Sequence, residues 1–413
     1  MRFVPDGPDI PNQLIKEWRA GEVLFLAGAG VSAPSKLPLF EGLALGVYEL
    51  LNDPLFKVLD DAKDFSQPAR REKVRDATNL SADARVESDL FFERQYDRLF
   101  SALEKRIDPD LLGRPKTRKV RKAVEDILSG KKHSPSHTDL LQLSQAPNSS
   151  GDRSKSLSCR IVTTNFDLLF EAAWRKQFGA DAISFDARMA PRPGAHNFEG
   201  IIHLHGSLTD NPNQLGNYVL SSRDFARVYL RSGVIGNYVY DLIRRYRVVL
   251  IGYSADDPPM RYLMDAIGED ASLFDDMRKP FAITDWSVAP DEPAAEIDEA
   301  VWRAKEINPI FYKRGADKTP YLPLWDSIHE WANWSRDDTA WVERQLEENT
   351  RIKRAEASPF QRGLVQDLLA VLSPDELEKA VSFLSGKRVD FGWIETVSAA
   401  IDAAKPSKEG TRR

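Results

Sequence analysis

Short apolar runs that end in small or polar residues alternate with amphipathic stretches along this chain, and the alternation predicts strands separated by helices. Val23-Leu24-Phe25-Leu26-Ala27 is too short and too uniformly apolar for an ordinary helix. It runs into Gly28-Ala29-Gly30-Val31-Ser32, the pattern of a buried parallel strand ending in a tight turn. Residues 160–164, 200–206, 247–252, 279–284 and 307–312 repeat that pattern and predict five further strands. Helical spacing marks Leu14, Ile15 and Trp18 before Gly21, and the stretch 40–51. It also marks 90–107, with Phe92, Tyr96, Leu99, Phe100 and Leu103 on one side. Residues 168–178 and a segment starting at Asp257 or Pro258 read as helices after the second and fourth of these strands. Strands separated by helices imply an α/β fold with a parallel sheet covered on both faces.

Two regions break the rhythm. Between Asp53 and Ser134 the chain is charged and shows no convincing strand, which predicts a large helical insertion at about 45–150. Beyond Pro323, Trp325, Ile328, Trp331, Trp334 and Trp341 lie in an aromatic-rich helical pattern, and 360–404 reads as two or three amphipathic helices. Ser373-Pro374-Asp375-Glu376 is the start signal of one of them. A separate helical C-terminal module is expected at 323–404, with the tail 405–413 disordered. The tryptophans read as core rather than as a stacking platform.

A chain of 413 residues with 42% hydrophobic residues can bury real cores in two or three units. The net charge of −6 argues against a protein whose whole surface grips nucleic acid. The basic run 114–122 reads as a solvated face or, failing that, as a partner or nucleic-acid contact. Cys159 is the single cysteine, so neither an internal disulfide nor the usual thiolate-rich zinc site can form. Residues 1–10 hold two prolines and no apolar core of a secretory signal, and no apolar run approaches the ~18 residues of a membrane span. The expected location is the cytoplasm.

In open α/β sheets, ligands bind beyond the carboxyl ends of the strands. Gly28, Gly30, Ser32, Asn165, Asp167, His205, Gly252 and Ser254 all fall there. Gly28 and Gly30 can adopt positive φ and carry no side chain, so a phosphate could approach the backbone, and a helix starting soon after Ser32 would favour an anion. A dinucleotide pyrophosphate suits such a turn. The same stretch also reads as a strand that merely ends in glycines, and the third glycine of the dinucleotide fingerprint is replaced by Ala33.

In order and spacing, these residues resemble the sirtuins. Gly28-Ala29-Gly30-Val31-Ser32 with Leu37-Pro38-Leu39-Phe40 is similar to the sirtuin cofactor loop, and Thr164-Asn165-Phe166-Asp167 to its threonine-glutamine-asparagine-isoleucine-aspartate element. Leu204-His205-Gly206 looks like the catalytic histidine-glycine, and Gly252-Tyr253-Ser254 stands where the family has glycine-threonine-serine. Ser134, Pro135, His137 and Leu140 resemble the helix preceding the asparagine strand. Leu39 and Glu41 depart from the loop's acidic and arginine residues, and the zinc cysteines are missing. The resemblance implies a Rossmann-like domain over 1–322, no zinc, and NAD+ as substrate.

It is nearest the zinc-free sirtuin-like domains of bacterial antiphage defence, which hydrolyse NAD+ and assemble as oligomers or with a HerA-type hexameric ATPase or a short Argonaute. The expected activity is therefore an NAD+ glycohydrolase. An NAD+-dependent deacylase, an ADP-ribosyl transferase and a non-catalytic NAD+ or ADP-ribose binding subunit are the alternatives.

Cleaving the nicotinamide–ribose bond requires a stabilised sugar cation and an aimed nucleophile. Asn165 would hold ribose hydroxyls or water through its amide, Asp167 would order the loop or accept from the carboxamide, and His205 would act as general base. Gly28, Ala29, Gly30 and Ser32 would seat the pyrophosphate near Phe40, and Gly252, Ser254 and Asp285 the adenosine half. Asn165 and Asp167 could instead only cap the next helix. His203 shares a face with His205, lies two residues deeper and reads as structural. His133 and His137 are expected to organise a turn and a helix face.

Overall fold

A computed structural model of the chain describes residues 1–62, 69, 74, 80–109, 118–145, 159–208, 218–255, 258–273, 278–286, 295–316, 318–387 and 389–404. Seven strands, Val23–Ala27 (β1), Arg160–Thr163 (β2), Ser184–Asp186 (β3), Gly200–His203 (β4), Arg247–Ile251 (β5), Phe281–Asp285 (β6) and Asn308–Tyr312 (β7), form one sheet. Their order is β3-β4-β2-β1-β5-β6-β7, and every pairing is parallel. The fold is thus α/β with a Rossmann-like parallel sheet.

β1 is central because it is apolar on both faces. Phe25↔Ile161 to Ala27↔Thr163 pair it with β2, and Val23↔Arg247 to Ala27↔Ile251 pair it with β5. Phe25, Ile161, Ile201, Val249 and Ile251 point into one core, and Leu24, Leu26, Val162, Ile202, Val248 and Leu250 into the other. That alternation is the period of two along a strand. The chain leaves β1 for β2, β4 and β3 on one side and returns for β5, β6 and β7 on the other. Connections therefore diverge at the carboxyl ends of β1 and β5, where such sheets open a crevice.

Beside β1, four expected strands lie within a residue or two of their predicted positions, and the fifth, expected over 200–206, ends three residues early at His203. The edge strand β3 was not expected, since Ser184-Phe185-Asp186 is three residues long and half-exposed, with no apolar run to announce it. The stretch 90–107 is two helices rather than one, Ala82–Phe92 and Tyr96–Ile107. They part at Arg94, which takes a left-handed φ of 57°.

Between β1 and β2 the described residues build the helices Phe40–Leu50, Leu55–Ala62, Ala82–Phe92, Tyr96–Ile107, Lys119–Leu128 and Pro135–Leu143, and no strand. The first five enclose a third core around Leu43, Val47, Tyr48, Leu99, Phe100 and Val124. Within the basic run, 114–117 lie outside the described residues and Lys119 and Lys122 face solvent. Arg121 corrects the solvated-face reading: it is 3% exposed, because Glu104 and Asp224 take its guanidinium inside the fold.

After β7 come Leu322–Arg336, Asp338–Thr350, Pro359–Val371, Pro374–Ser385 and Phe391–Ala404. Ser373 and Glu376 close the capping box their spacing announced, satisfying two orphan backbone donors. Trp331, Trp334 and Trp341 are buried, and Trp331 lies edge-on to Phe25 of β1 at 5.7 Å. These helices and one sheet face form a single continuous core. The tail 405–413 lies outside the described residues. No helix among the described residues is long and apolar enough to cross a membrane.

Candidate active site

The turn after β1 closes on the turn after β5, backbone against backbone. Gly28 N–H donates to Ile251 O at 2.9 Å and Gly30 N–H to Gly252 O at 2.9 Å. A Cβ on Gly28 would lie 2.4 Å from Gly252 O, and one on Gly30 would lie 2.8 Å from Gly252 Cα. Glycine is needed here for close approach. The expected positive φ is not found: Gly28 is extended at −107°, and Gly30 sits inside the 3-10 turn Ala29–Val31. The left-handed residue is Gly252, at φ +60°. Nor does an α-helix follow Ser32 directly. A second short turn, Ala33–Ser35, and a left-handed Lys36 intervene before the helix beginning at Phe40. Phe40 stacks on Tyr96 at 6.4 Å, against the helices between β1 and β2.

Ser32 is the junction of the site. Its buried Oγ donates to Asp167 Oδ2 at 2.8 Å and accepts from Asn165 Nδ2 at 3.1 Å. His137 Nε2 lies 3.2 Å from the same oxygen. The Ser134 N–H donates to His137 Nδ1 at 3.3 Å, so Nε2 carries the ring proton and donates to Ser32. Burial holds His137 neutral, pushing its pKa down to about 4.

Asn165 is set by the end of β2. Its N–H donates to Thr163 Oγ1 at 3.0 Å, and Thr163 Oγ1 donates to Ala27 O at 3.0 Å. The Asn165 amide nitrogen also donates to Gly28 O at 3.1 Å, which fixes which end of the amide is nitrogen, because a carbonyl only accepts. Oδ1 accepts no hydrogen bond from any described residue. Asp167 also receives the Leu169 N–H, the first of the next helix, at 3.1 Å while holding Ser32. Burial raises its pKa, against the hydrogen bonds from Ser32 and Leu169.

The two histidines of β4 part company. His203 Nδ1 lies 2.9 Å from Asn165 O and Nε2 lies 2.8 Å from Glu171 Oε1. Both neighbours accept only, so both ring nitrogens carry protons and His203 is an imidazolium. Burial opposes that charge, and the Glu171 carboxylate outweighs it, leaving the His203 pKa raised and that of Glu171 lowered. His205 is corrected from the shared face: β4 ends at His203, the chain turns, and the next imidazole meets other neighbours. Its Nε2 lies 2.9 Å from Tyr229 Oη, and its ring stands edge-on to Phe225 at 5.3 Å. Burial alone lowers its pKa to about 4.

The strand ends are tied together, with Leu204 N–H donating to Thr163 O at 2.8 Å. Among the described residues no hydrogen bond joins His205 to Asn165, Asp167 or Ser32. Asn165, Asp167 and Ser32 thus share one network, and His205 stands beside it on the adjacent strand end.

Residues 160–310 match the family described as SIR2-like domain. That stretch of the chain, somewhat over a third of it, is similar to this family. The match begins at β2 and takes in Asn165, Asp167, His205 and Gly252, while the glycine turn of β1 lies before it. The uncharacterized protein y4cA of Sinorhizobium fredii is 30% identical over 340 residues, 81% of this chain and 24% of that protein. The chain therefore spans about a quarter of this curated relative. Among solved structures, a Sir2 homologue–NAD complex aligns at 16% identity, with a TM-score of 0.31, over 81% of this chain and 98% of the other. An ADP-ribose complex of a mutant Sir2 homologue aligns at 16% identity and a TM-score of 0.34, over 80% and 98%.

At the periphery of the site, Ser254 is exposed and its carbonyl accepts from Lys305 Nζ at 2.9 Å. Asp285 ends β6, two strands from β1, in an ion pair with Arg314. Among the described residues no three His, Cys, Asp or Glu side chains gather to hold a metal ion. From the sequence, His137 is expected on a turn or helix face and in the family-like helix before β2, and neither Glu171 nor Tyr229 is singled out. His137 carried a signal in the Ser134-Pro135 start of its helix, whereas nothing local marks Tyr229.

Proposed function

We propose that the SIR2-like domain is an NAD+ glycohydrolase that converts NAD+ and water to nicotinamide, ADP-ribose and a proton. The observation that carries this reading is the Asn165 amide: buried, locked by two donor bonds to the glycine turn, and left with one acceptor oxygen unused. An acceptor fixed in this way is preorganised to orient a ribose hydroxyl or the attacking water. The C1′–nitrogen bond breaks with its electron pair leaving on nicotinamide, a neutral leaving group once released. Water oxygen bonds C1′, and its proton passes to the neutral His205 imidazole or to solvent. Asp167 opposes the developing sugar cation, Ser32, Ala29 and the glycines line the diphosphate side, and Gly252, Ser254 and Asp285 the adenosine side.

The biological setting follows the resemblance to zinc-free sirtuin-like domains: a cytoplasmic NAD+-depleting effector of antiphage defence. It would work as a homo-oligomer or with a HerA-type ATPase or short Argonaute, with the helices between β1 and β2 serving assembly.

Incubating the purified protein with NAD+, with and without its genomic neighbour, and quantifying nicotinamide and ADP-ribose tests the reading. Asn165→Ala and His205→Ala are each expected to lower the rate by about 100-fold or more with circular dichroism unchanged. Absence of nicotinamide from wild type in both conditions would leave a binding subunit instead, and measurable rates unaltered in both variants would take catalysis away from Asn165 and His205.

A further inference from the structure

We propose that Tyr229 is a positioning residue: from a π-helical turn its hydroxyl fixes the tautomer and ring orientation of His205, and Arg121, from the helices between β1 and β2, anchors that turn. The inference rests on the role proposed for His205.

The turn is Ala226–Arg231, a π-helix, a form that is rare and concentrated at functional sites. It continues the short helix Ser222–Phe225, so Phe225 and Tyr229 come to lie 5.9 Å apart with planes 28° from parallel. His205 stands edge-on to both rings, which leaves its plane little freedom. Tyr229 Oη lies 2.9 Å from Nε2, close enough to bias which ring nitrogen carries the proton. As acceptor from Nε2–H it selects the tautomer whose Nδ1 lone pair can take a proton, and it keeps an acceptor facing Nε2–H once the ring is charged.

The turn itself is pinned. Asp224 binds the Arg121 guanidinium and accepts from the Leu220 and Ser221 N–H groups at 3.2 and 3.1 Å. Arg121 also donates to Tyr218 O at 2.8 Å, and the next residue, Val219, donates its N–H to His205 O at 2.8 Å. One buried guanidinium from outside the sheet therefore holds the segment that grips His205 at both backbone and ring.

Nitrogen-15 labelling of the six histidines with long-range proton–nitrogen correlation reads the His205 tautomer without reference to turnover. Wild type is expected to show the Nε2–H form. Tyr229→Phe is expected to give mixed tautomers at His205 alone, with kcat down about 10- to 100-fold and KM within about twofold. Arg121→Lys, which keeps the charge and loses the fork, is expected to show the same mixing to a lesser degree and serves if Tyr229→Phe does not fold. An Nδ1–H tautomer in wild type, or His205 resonances and kcat unmoved in the variants, overturns the proposal. Moved resonances in a protein that releases no nicotinamide would uphold Tyr229 and overturn the hydrolase instead.

Discussion

Ser32 illustrates how one small side chain holds several larger claims. Its hydroxyl, buried, donates once, to Asp167, and accepts twice, from Asn165 and His137. Ser32→Ala leaves three buried polar partners short of a hydrogen bond, which is expected to lower stability by about 1–3 kcal/mol. The same change frees the Asn165 amide to rotate, so nicotinamide release should fall along with the melting temperature. Threonine at 32, which restores a hydroxyl, should recover part of both.

The buried histidines give a signed pH dependence. His137 and His205, each held to about 4 by burial, bind fewer protons when folded than when unfolded below their ordinary value of ~6.5. Their contribution is complete above that value and is lost as pH falls toward 4, by about 2 kcal/mol each at pH 5. His203 has the opposite sign: its pKa is raised, so its pairing with Glu171 is present below the ordinary value and is lost as pH rises through the raised one. Thermal melts between pH 7 and 5 should show the loss, and His137→Asn should remove about half of it. Because His205 stays neutral, hydrolysis should be nearly flat between pH 6 and 8.

At the scale of elements, the decisive contact is turn against turn. Gly252 is left-handed, and a Cβ there would lie 2.7 Å from Val31 N and 2.9 Å from Gly30. Gly252→Ala must push the β1 and β5 turns apart, and with them Gly28 O, the carbonyl that fixes the Asn165 amide. The expected result is a lower melting temperature together with lost NAD+ turnover. Gly236→Ala, in the helix Val234–Arg245 with nothing within 4 Å of the added carbon, is the control and should be neutral or stabilising by about 0.5–1 kcal/mol.

These turns were half legible. Glycines at strand ends mark where the backbone needs room, yet the residue packed against them lies more than 200 positions away, so this close packing was not legible and the positive φ was placed on the wrong glycine. Parallel strands buried on both faces announce themselves as unbroken apolar runs, which is why β1, β2, β4, β5, β6 and β7 were readable. β3, exposed and three residues long, carries no such pattern. His137, Arg121 and Tyr229 act through partners 105, 103 and 24 residues distant, and no local period encodes such contacts.

For the whole molecule, the question is whether 323–404 stands apart from the sheet. Phe25 in β1 packs on Trp331, Trp18 packs on Trp331 and Trp334 at 5.3 and 5.8 Å, and Trp334 stacks on Trp341 at 5.0 Å. Asp139, on the helix that carries His137, accepts from Arg336 at 2.6 Å and pairs with His329. The C-terminal helices therefore brace the element that holds Ser32, and through it Asn165. Removing them would uncover aromatic surface of about 150–250 Å² per tryptophan partner, more than the remaining chain can leave in water without association. A chain ending at residue 322 is expected to aggregate or to lose near-ultraviolet dichroism, and the full chain to unfold in one calorimetric transition. Two resolved transitions, with the first leaving NAD+ turnover intact, would instead make 323–404 an independent module and detach the site's stability from the tryptophan cluster.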